Sequence, residues 1–279
     1  MKTIRFGSRG EDVHFLQQLL RGSGYNVQLS NYFGKELDSA VRNFQLKNSL
    51  VVDGIVGAKT WSKLIAANKE FLQYNDKFLS EKDLIDFSSQ YSLELAVVKA
   101  VNEVESSGKG FLLDGRPKIL FEGHVFWREL KKRGIDPKSI LKEEFKDVLY
   151  ERWERKYYKG GIGEYDRLEK ATRISNLPGV KEAAYCSASW GAFQIMGYHN
   201  KMLGYKSIEE FVEKMKIHER NHLDAFGRFI STVSSNGKKL VDWLRIKKWD
   251  RFAYGYNGSG YEQNMYDRKL KTAYEKYSS

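Results

Sequence analysis

The chain has 279 residues, 41% of them apolar, which is enough to bury a substantial core in one or two domains, and its 3 prolines and lack of Ser/Gly/Pro tracts exclude long disordered tails. No stretch approaches the roughly 20 apolar residues of a membrane span, and the start, MKTIRFGSRGEDV, holds no apolar run of signal-peptide length, so synthesis as a soluble cytosolic protein is expected; the single Cys186 excludes an internal disulfide and reads as a small core residue. A formal net charge of +11 calls for an anionic partner, and nucleic acid, a membrane surface or an acidic wall polymer would each satisfy it, so the motifs must decide.

Residues 3–67 read as three short helices. The first opens at Ser8-Arg9-Gly10-Glu11, a capping-box pattern, sets Val13, Leu16, Leu19 and Leu20 on one face, and stops at Gly22 and Gly24. A second follows Gly34, with Leu37, Val41 and Phe44 spaced by four and three. The turn Asp53-Gly54 sits inside VVDGIVG, and a third helix carries Thr60, Trp61 and Leu64. None is long enough to be stable alone, so the three must share one core.

In order and spacing, GSRGEDVHFLQQLL, AVRNFQ and VVDGIVGAKTWSKL resemble the peptidoglycan-binding domain that accompanies many wall hydrolases. The resemblance covers residues 1–67 and implies a three-helix wall binder with Asp53, Gly54 and Trp61 among its contact residues. It departs from the usual pattern before Phe33-Gly34, where Ser30-Asn31-Tyr32 replaces an acidic-Gly turn. Residues 68–79 read as a polar linker. A second, larger unit is expected over 80–279, with amphipathic helices near 81–90, 93–105, 122–133, 164–175, 208–232, 238–245 and 265–277, Gly-rich breaks at 108–115, 160–163 and 255–260, and no strand-rich segment. The fold class expected is therefore all-α.

The chemistry centres on SLELAVVKAVNEVESSGKG. Leu93, Val97, Val101 and Val104 form an apolar face, Gly108 ends the run, and Glu105 falls in the last turn with Asn102 and Val101 three and four residues behind it. Apolar walls and the partial negative charge of a helix C-terminus both disfavour a carboxylate and raise its pKa. A general acid needs this, because it must hold a proton near neutral pH. A lone glutamate at a helix end is ordinarily just solvated, and two further motifs change that weighting: Ser189-Trp190-Gly191-Ala192-Phe193-Gln194-Ile195-Met196-Gly197 and Tyr254-Gly255-Tyr256-Asn257-Gly258.

Glu-Ser at a helix end, then Gly-x-x-Gln-Ile, then a Tyr-Asn-x-Gly-like string is similar to goose-type lysozymes and lytic transglycosylases. More closely, ESSGKGFL, DGRPKILFEGHVFW, EYDRL, SASWGAFQIMGY, LDAFGRFI and YDRKL together resemble the N-acetylmuramidase domain of modular phage endolysins, from about residue 80 to the end. That resemblance implies that Glu105 protonates the β-1,4 bond after N-acetylmuramic acid, with Ser106, Gln194, Ile195, Tyr256 and Asn257 binding substrate and Tyr256 orienting Glu105 or polarising the substrate amide. It further implies an enzyme that waits in a host cytoplasm and acts on peptidoglycan in the periplasm after a separate membrane lesion. A monomer is the default.

Glycoside hydrolysis commonly uses a second carboxylate, about 5 Å away in retaining enzymes and further in inverting ones. Glu122, in Phe121-Glu122-Gly123-His124, is the first candidate and Asp114 the second, while a structural pairing of Glu122 with Arg116 or His124 competes. Without a second acid in place, a transglycosylase that forms 1,6-anhydro-muramic ends with one glutamate is the better account.

His218-Glu219-Arg220-Asn221-His222 matches H-E-x-x-H, which on a helix aims two imidazoles at zinc and supplies a glutamate base. No histidine follows His222 to complete the set, so a zinc peptidase is a distant alternative, and no metal or organic cofactor is expected. A non-catalytic wall-binding protein is the remaining alternative. Lys and Arg are scattered and no recognition-helix, RNA-sheet, zinc-finger or phosphate-loop motif occurs, so neither nucleic acid nor stable membrane insertion is expected.

Overall fold

The computed structural model describes residues 3–68, 77–106, 110–112 and 114–278; the expected linker at 68–79 falls largely outside them, as does Gly108. The protein is mostly helical and has two hydrophobic clusters. In the first, α1 (Glu11–Gly22), α2 (Lys35–Lys47) and α3 (Ala58–Ala67) bury the faces read from the sequence, Val13, Leu16, Leu19 and Leu20 against Leu37, Val41, Phe44, Trp61 and Leu64. Each such side chain contributes about 1.5–3 kcal/mol of transfer free energy, which three short helices gain only together.

Two local features differ from expectation or explain a departure. The capping box at Ser8 does not form, because Gly10 itself caps α1 at φ 109, and the Ser8 hydroxyl accepts the Arg5 amide at 3.0 Å instead. Where Ser30-Asn31-Tyr32 replaces the usual turn, Asn31 takes φ 55, and Gln17 Oε1 accepts the Ser30 and Asn31 amides at 3.1 and 3.3 Å. Asparagine tolerates the left-handed region, so the turn survives without glycine.

The second cluster begins with α4 (Glu81–Tyr91), opened by a capping box between Ser80 and Asp83, and α5 (Leu95–Val101), which widens into a π-helical turn at Asn102–Ser106. In chain order there follow β1 (Ile119–Phe121), α6 (Gly123–Lys132), α7 (Pro137–Ile140), α8 (Ile162–Thr172), α9 (Val180–Cys186), β2 (Ala188–Trp190) and β3 (Ile195–Met196). Then come α10 (Ile208–Ile217), α11 (Glu219–Thr232), the hairpin β4 (Ser234–Ser235) and β5 (Lys238–Lys239), α12 (Leu240–Arg245), α13 (Trp249–Asn257) and α14 (Tyr266–Ser278).

Strands β1, β2 and β3 form an antiparallel sheet in that order, with Leu120 opposite Ser189 and Ser189 opposite Met196. It leaves no trace in the residue pattern because Ala188–Trp190 is buried on both faces and too short to alternate. The helix expected over 208–232 breaks at His218, whose backbone is extended and whose Nδ1 caps α11 by accepting the Arg220 amide at 2.9 Å. Beneath the sheet, the fully buried Glu164–Arg167 pair (2.7 Å) ties β1 to the segment after α7. Glu164 accepts the Phe121, Lys159 and Gly160 amides, and Arg167 donates to the Phe121 and Asp147 carbonyls and the Tyr150 hydroxyl. A buried ion pair is tolerated only with its remaining donors and acceptors filled in this way. No helix of the described residues is long and apolar enough to cross a membrane.

Candidate active site

Glu105 sits in the π-helical turn that ends α5. Behind it Val97, Val98 and Val101 are buried, and the Ser106 hydroxyl turns back to the Asn102 carbonyl and, at 3.2 Å, to Asn102 Oδ1. Ser106 is thus a buried brace of the turn. Asn257, the last residue of α13, donates from Nδ2 to Glu105 Oε1 at 3.1 Å. Burial pushes the Glu105 carboxyl from an ordinary 4.5 up to about 7, with Asn257 and the Lys269 charge pulling the other way. Near neutral pH a large fraction of it keeps its proton.

Helix α14 packs along α5 and the π-helical turn. Through it Tyr266 comes near enough to Glu105 for that charge, after burial, to raise the phenol's pKa.

Tyr256 reaches the site without touching its carboxyl. Its ring lies among Phe226, Phe229 and Phe252, and its hydroxyl donates to the Phe193 carbonyl at 2.7 Å, tying α13 to the turn between β2 and β3. Among the described residues the hydrogen bond to the Glu105 carboxyl comes from Asn257, while the Glu105 charge, after burial, raises the Tyr256 phenol's pKa. In that turn Gly191 and Gln194 both have positive φ (72 and 50). The Gln194 amide is spent on the turn: Oε1 accepts from Ser189 Oγ at 2.8 Å, and Nε2 donates to the Gly191 and Lys118 carbonyls at 2.7 and 3.3 Å. Ile195 is buried and pairs with Trp190 across the sheet. Of the residues expected to contact substrate, Asn257 meets Glu105 directly, while Gln194, Ile195 and Tyr256 shape the wall beside it.

Residues 94–278 match the N-acetylmuramidase family, and residues 9–64 match a putative peptidoglycan binding domain. The chain belongs to the N-acetylmuramidase family. The crystal structure of the Burkholderia AP3 phage endolysin is similar over 99% of both chains, with 40% identity and a TM-score of 0.66. A spore cortex-lytic enzyme of Bacillus cereus is 44% identical over 69 residues, 24% of this chain and 27% of that one. The corresponding enzyme of Bacillus subtilis is 41% identical over 75 residues, 26% of this chain and 25% of that one. The match thus spans about a quarter of the length of these curated relatives.

Within the muramidase unit, neither Glu105 nor Glu122 is among the charges that act on the other. Glu122 follows β1 directly, its amide donating to the Ser187 carbonyl, while Lys118, whose carbonyl holds Gly191 and Gln194, precedes β1 at the other end. Tyr158 donates its hydroxyl to Glu122 Oε2 at 2.6 Å, His124 Nδ1 lies 3.4 Å from the same oxygen, and burial raises the carboxyl's pKa. The partner anticipated in His124 is present; Arg116 is instead paired with Asp114 at 2.7 Å and stacked over Tyr165.

The H-E-x-x-H string is a buttress for the muramidase site. His218 lies outside the helix as its cap, and His222 is buried, with both ring nitrogens committed: Nδ1 accepts the Ala192 amide at 3.1 Å and Nε2 donates to the Met215 carbonyl at 2.7 Å. Burial holds its pKa at about 4. Glu219 accepts the Leu79 and Gly110 amides at 3.0 and 2.9 Å. A side chain at Gly110 or Gly191 would collide with this pair, since its Cβ would come within 2.6 Å of Glu219 or His222 respectively. These hydrogen bonds overturn the zinc reading: His218 caps a helix and His222 is committed to backbone groups. Among the described residues no group of three or more His, Cys, Asp or Glu is arranged to hold a metal ion.

In the N-terminal module, Trp61 is a core residue stacked near Phe15 (5.6 Å), and Asp53 holds its own turn, Oδ1 accepting from Gln45 Nε2 and the Ile55 amide at 3.0 and 2.8 Å. Gly54, at φ 73, faces the Asp38 and Arg42 side chains and donates its amide to Gln45 Oε1 at 3.0 Å. The large apolar side chains this module exposes are Phe6, Leu46, Val51 and Val52, which the motif pattern did not single out.

Proposed function

We propose that the protein is a muramidase that hydrolyses the β-1,4 bond between N-acetylmuramic acid and N-acetylglucosamine in peptidoglycan, with Glu105 as general acid. The observation that carries this is the buried Glu105 carboxyl, fixed by Asn257 and protonated near neutral pH, in a chain of the N-acetylmuramidase family. Glu105 gives its proton to the glycosidic oxygen as the C1–O bond breaks and the electron pair leaves with that oxygen. Water then adds to C1, and the Glu105 carboxylate takes the released proton, which restores the acid. Asn257 stabilises the carboxylate that exists between the two steps, because its N–H bond to Oε1 favours the charged form. The N-terminal module raises the local concentration of the enzyme on the polymer, and the net charge of +11 favours an acidic wall.

A second reading, lytic transglycosylation, is favoured by one observation: among the described residues the groups that act on Glu105 are Asn257 and Lys269, neither of them a carboxylate. There the C6 hydroxyl of the muramic residue attacks C1 and leaves a 1,6-anhydro end. Mass spectrometry of purified peptidoglycan, digested with wild type and Glu105→Gln and then reduced with borohydride, separates the two. Reduced muramic ends from wild type alone support hydrolysis through Glu105, anhydro-muramic ends mean transglycosylation, and intact glycan with new amino groups refutes both.

A further inference from the structure

We propose that Trp153, Tyr158 and Glu122 form a second saccharide subsite of the muramidase unit, on which an amino sugar of the glycan strand stacks and hydrogen-bonds at a distance from Glu105. This rests on the glycan-cleaving reading above. Trp153 is 59% exposed, although tryptophan is among the side chains that proteins mostly bury. Its ring is not adrift: it meets Tyr158 edge-on at 6.4 Å. The Tyr158 hydroxyl in turn donates to Glu122 Oε2 at 2.6 Å. The other carboxylate oxygen, Oε1, takes no hydrogen bond among the described residues, and the Glu122 side chain keeps 15% of its surface exposed. An open indole beside a carboxylate oxygen free to accept is the pairing that recognises a pyranose, since the ring covers the apolar C–H face while the carboxylate accepts from hydroxyl or amide N–H groups.

The arrangement is preorganised. Arg167 lies 5.7 Å over the Tyr158 ring and donates to the Tyr150 hydroxyl at 3.1 Å, and Tyr150 packs on Tyr157 at 5.0 Å, so the buried Glu164–Arg167 pair braces the aromatic segment from beneath. Arg152, Arg155, Lys156 and Lys159 outnumber Glu151 and Glu154 along it, which suits the carboxylates of muramyl residues.

Position argues for the same ligand as the catalytic cleft. The segment runs directly into Gly160 and Gly161, against which α1 of the wall-binding module rests: a Cβ on Gly161 would lie 2.2 Å from His14 Nε2 and 2.6 Å from Gln18 Nε2. The wall-binding module and this surface are therefore neighbours in the fold.

The test is a titration of the full chain carrying Glu105→Gln, which binds without cleaving, with a soluble hexamer of N-acetylglucosamine, read by the NMR signals of the indole N–H groups. The expected result is a shift of the Trp153 signal on binding, an affinity about tenfold lower in Trp153→Ala, and recovery of most of it in Trp153→Phe. In an otherwise wild-type chain, Trp153→Ala should raise KM on purified peptidoglycan and leave kcat unchanged. A Trp153 signal that does not move, or equal affinity with and without the indole, overturns the subsite. Failure of the glycan-cleaving reading would show separately, as intact glycan ends in the mass spectra, whatever this titration gives.

Discussion

Replacing Glu105 with glutamine should abolish cleavage and at the same time make the protein more stable at alkaline pH. The Glu105 carboxyl rises from an ordinary 4.5 in the unfolded chain to about 7 in the folded one, chiefly through burial. A folded-state pKa above the unfolded value means that the folded state binds the proton more tightly. The associated stability is fully present below about pH 4.5 and is lost as pH climbs through 7, after which the native state carries a buried charge. At about 1.36 kcal/mol per pH unit the full loss is about 3 kcal/mol. For a unit of this size that corresponds to roughly 6–12 °C in Tm. Glutamine keeps an oxygen for the Asn257 N–H and never ionises, so it escapes the loss. Calorimetry of wild type and Glu105→Gln at pH 4 and pH 8.5 should give similar melting points at pH 4 and a gap of this order at pH 8.5, in favour of the inactive variant. Equal melting points at both pH values would refute the claim that Glu105 is buried and protonated, and with it the physical basis for its role as an acid.

Three further outcomes follow from the same geometry. Asn257→Ala removes a hydrogen bond to the ionised form of Glu105, so its pKa should rise further and the alkaline limb of the rate profile should move up by about one pH unit, while kcat falls; a limb that stays in place or moves down would contradict the assignment. His222→Ala strands the Ala192 amide and the Met215 carbonyl and should cost about 2–4 kcal/mol by urea denaturation, whereas a chelator should leave wild-type activity intact; loss of activity on chelation would restore the metal question. Gly161→Val should lift α1 away from the muramidase unit, because its Cβ has no room beside His14 and the backbone at φ 53 favours glycine; small-angle scattering should report a larger radius of gyration, and an unchanged radius would count against the contact.

What the sequence discloses here follows from how local each feature is. The helices of both clusters were legible because their apolar residues recur with the helical period over two or more turns, and Glu105 was legible because a helix end is a local event. Its partner Asn257 was legible only as part of a motif, since 152 residues separate the two and no periodicity reports a contact of that kind. Strands of two or three buried residues have no alternation to detect, so the sheet stayed hidden. Capping was misjudged in a way the sequence permitted to be corrected: Ser80-x-x-Asp83 and Ser207-x-x-Glu210 carry the same pattern as Ser8-x-x-Glu11, and they cap helices where Ser8 does not, because a glycine at positive φ had already turned the chain at position 10.

The polar residues around the site teach the sharper lesson. Gln194, Tyr256, His222 and Glu219 all sit in strings that read as chemical, and each is bonded to backbone groups of the short strands and turns around them, Gln194 also to the Ser189 hydroxyl. A wall made of short strands and turns exposes amides and carbonyls that no ladder satisfies, and a buried unpaired backbone group is costly, so side chains with fixed donors and acceptors are needed there. That requirement produces the same residue types as catalysis does, at the same place in the fold. Only the accounting of each donor and acceptor separates them: Glu105 accepts from one side chain, Asn257, and burial lifts its pKa to about 7, and that is why the proposed chemistry is assigned to it and not to its better-bonded neighbours.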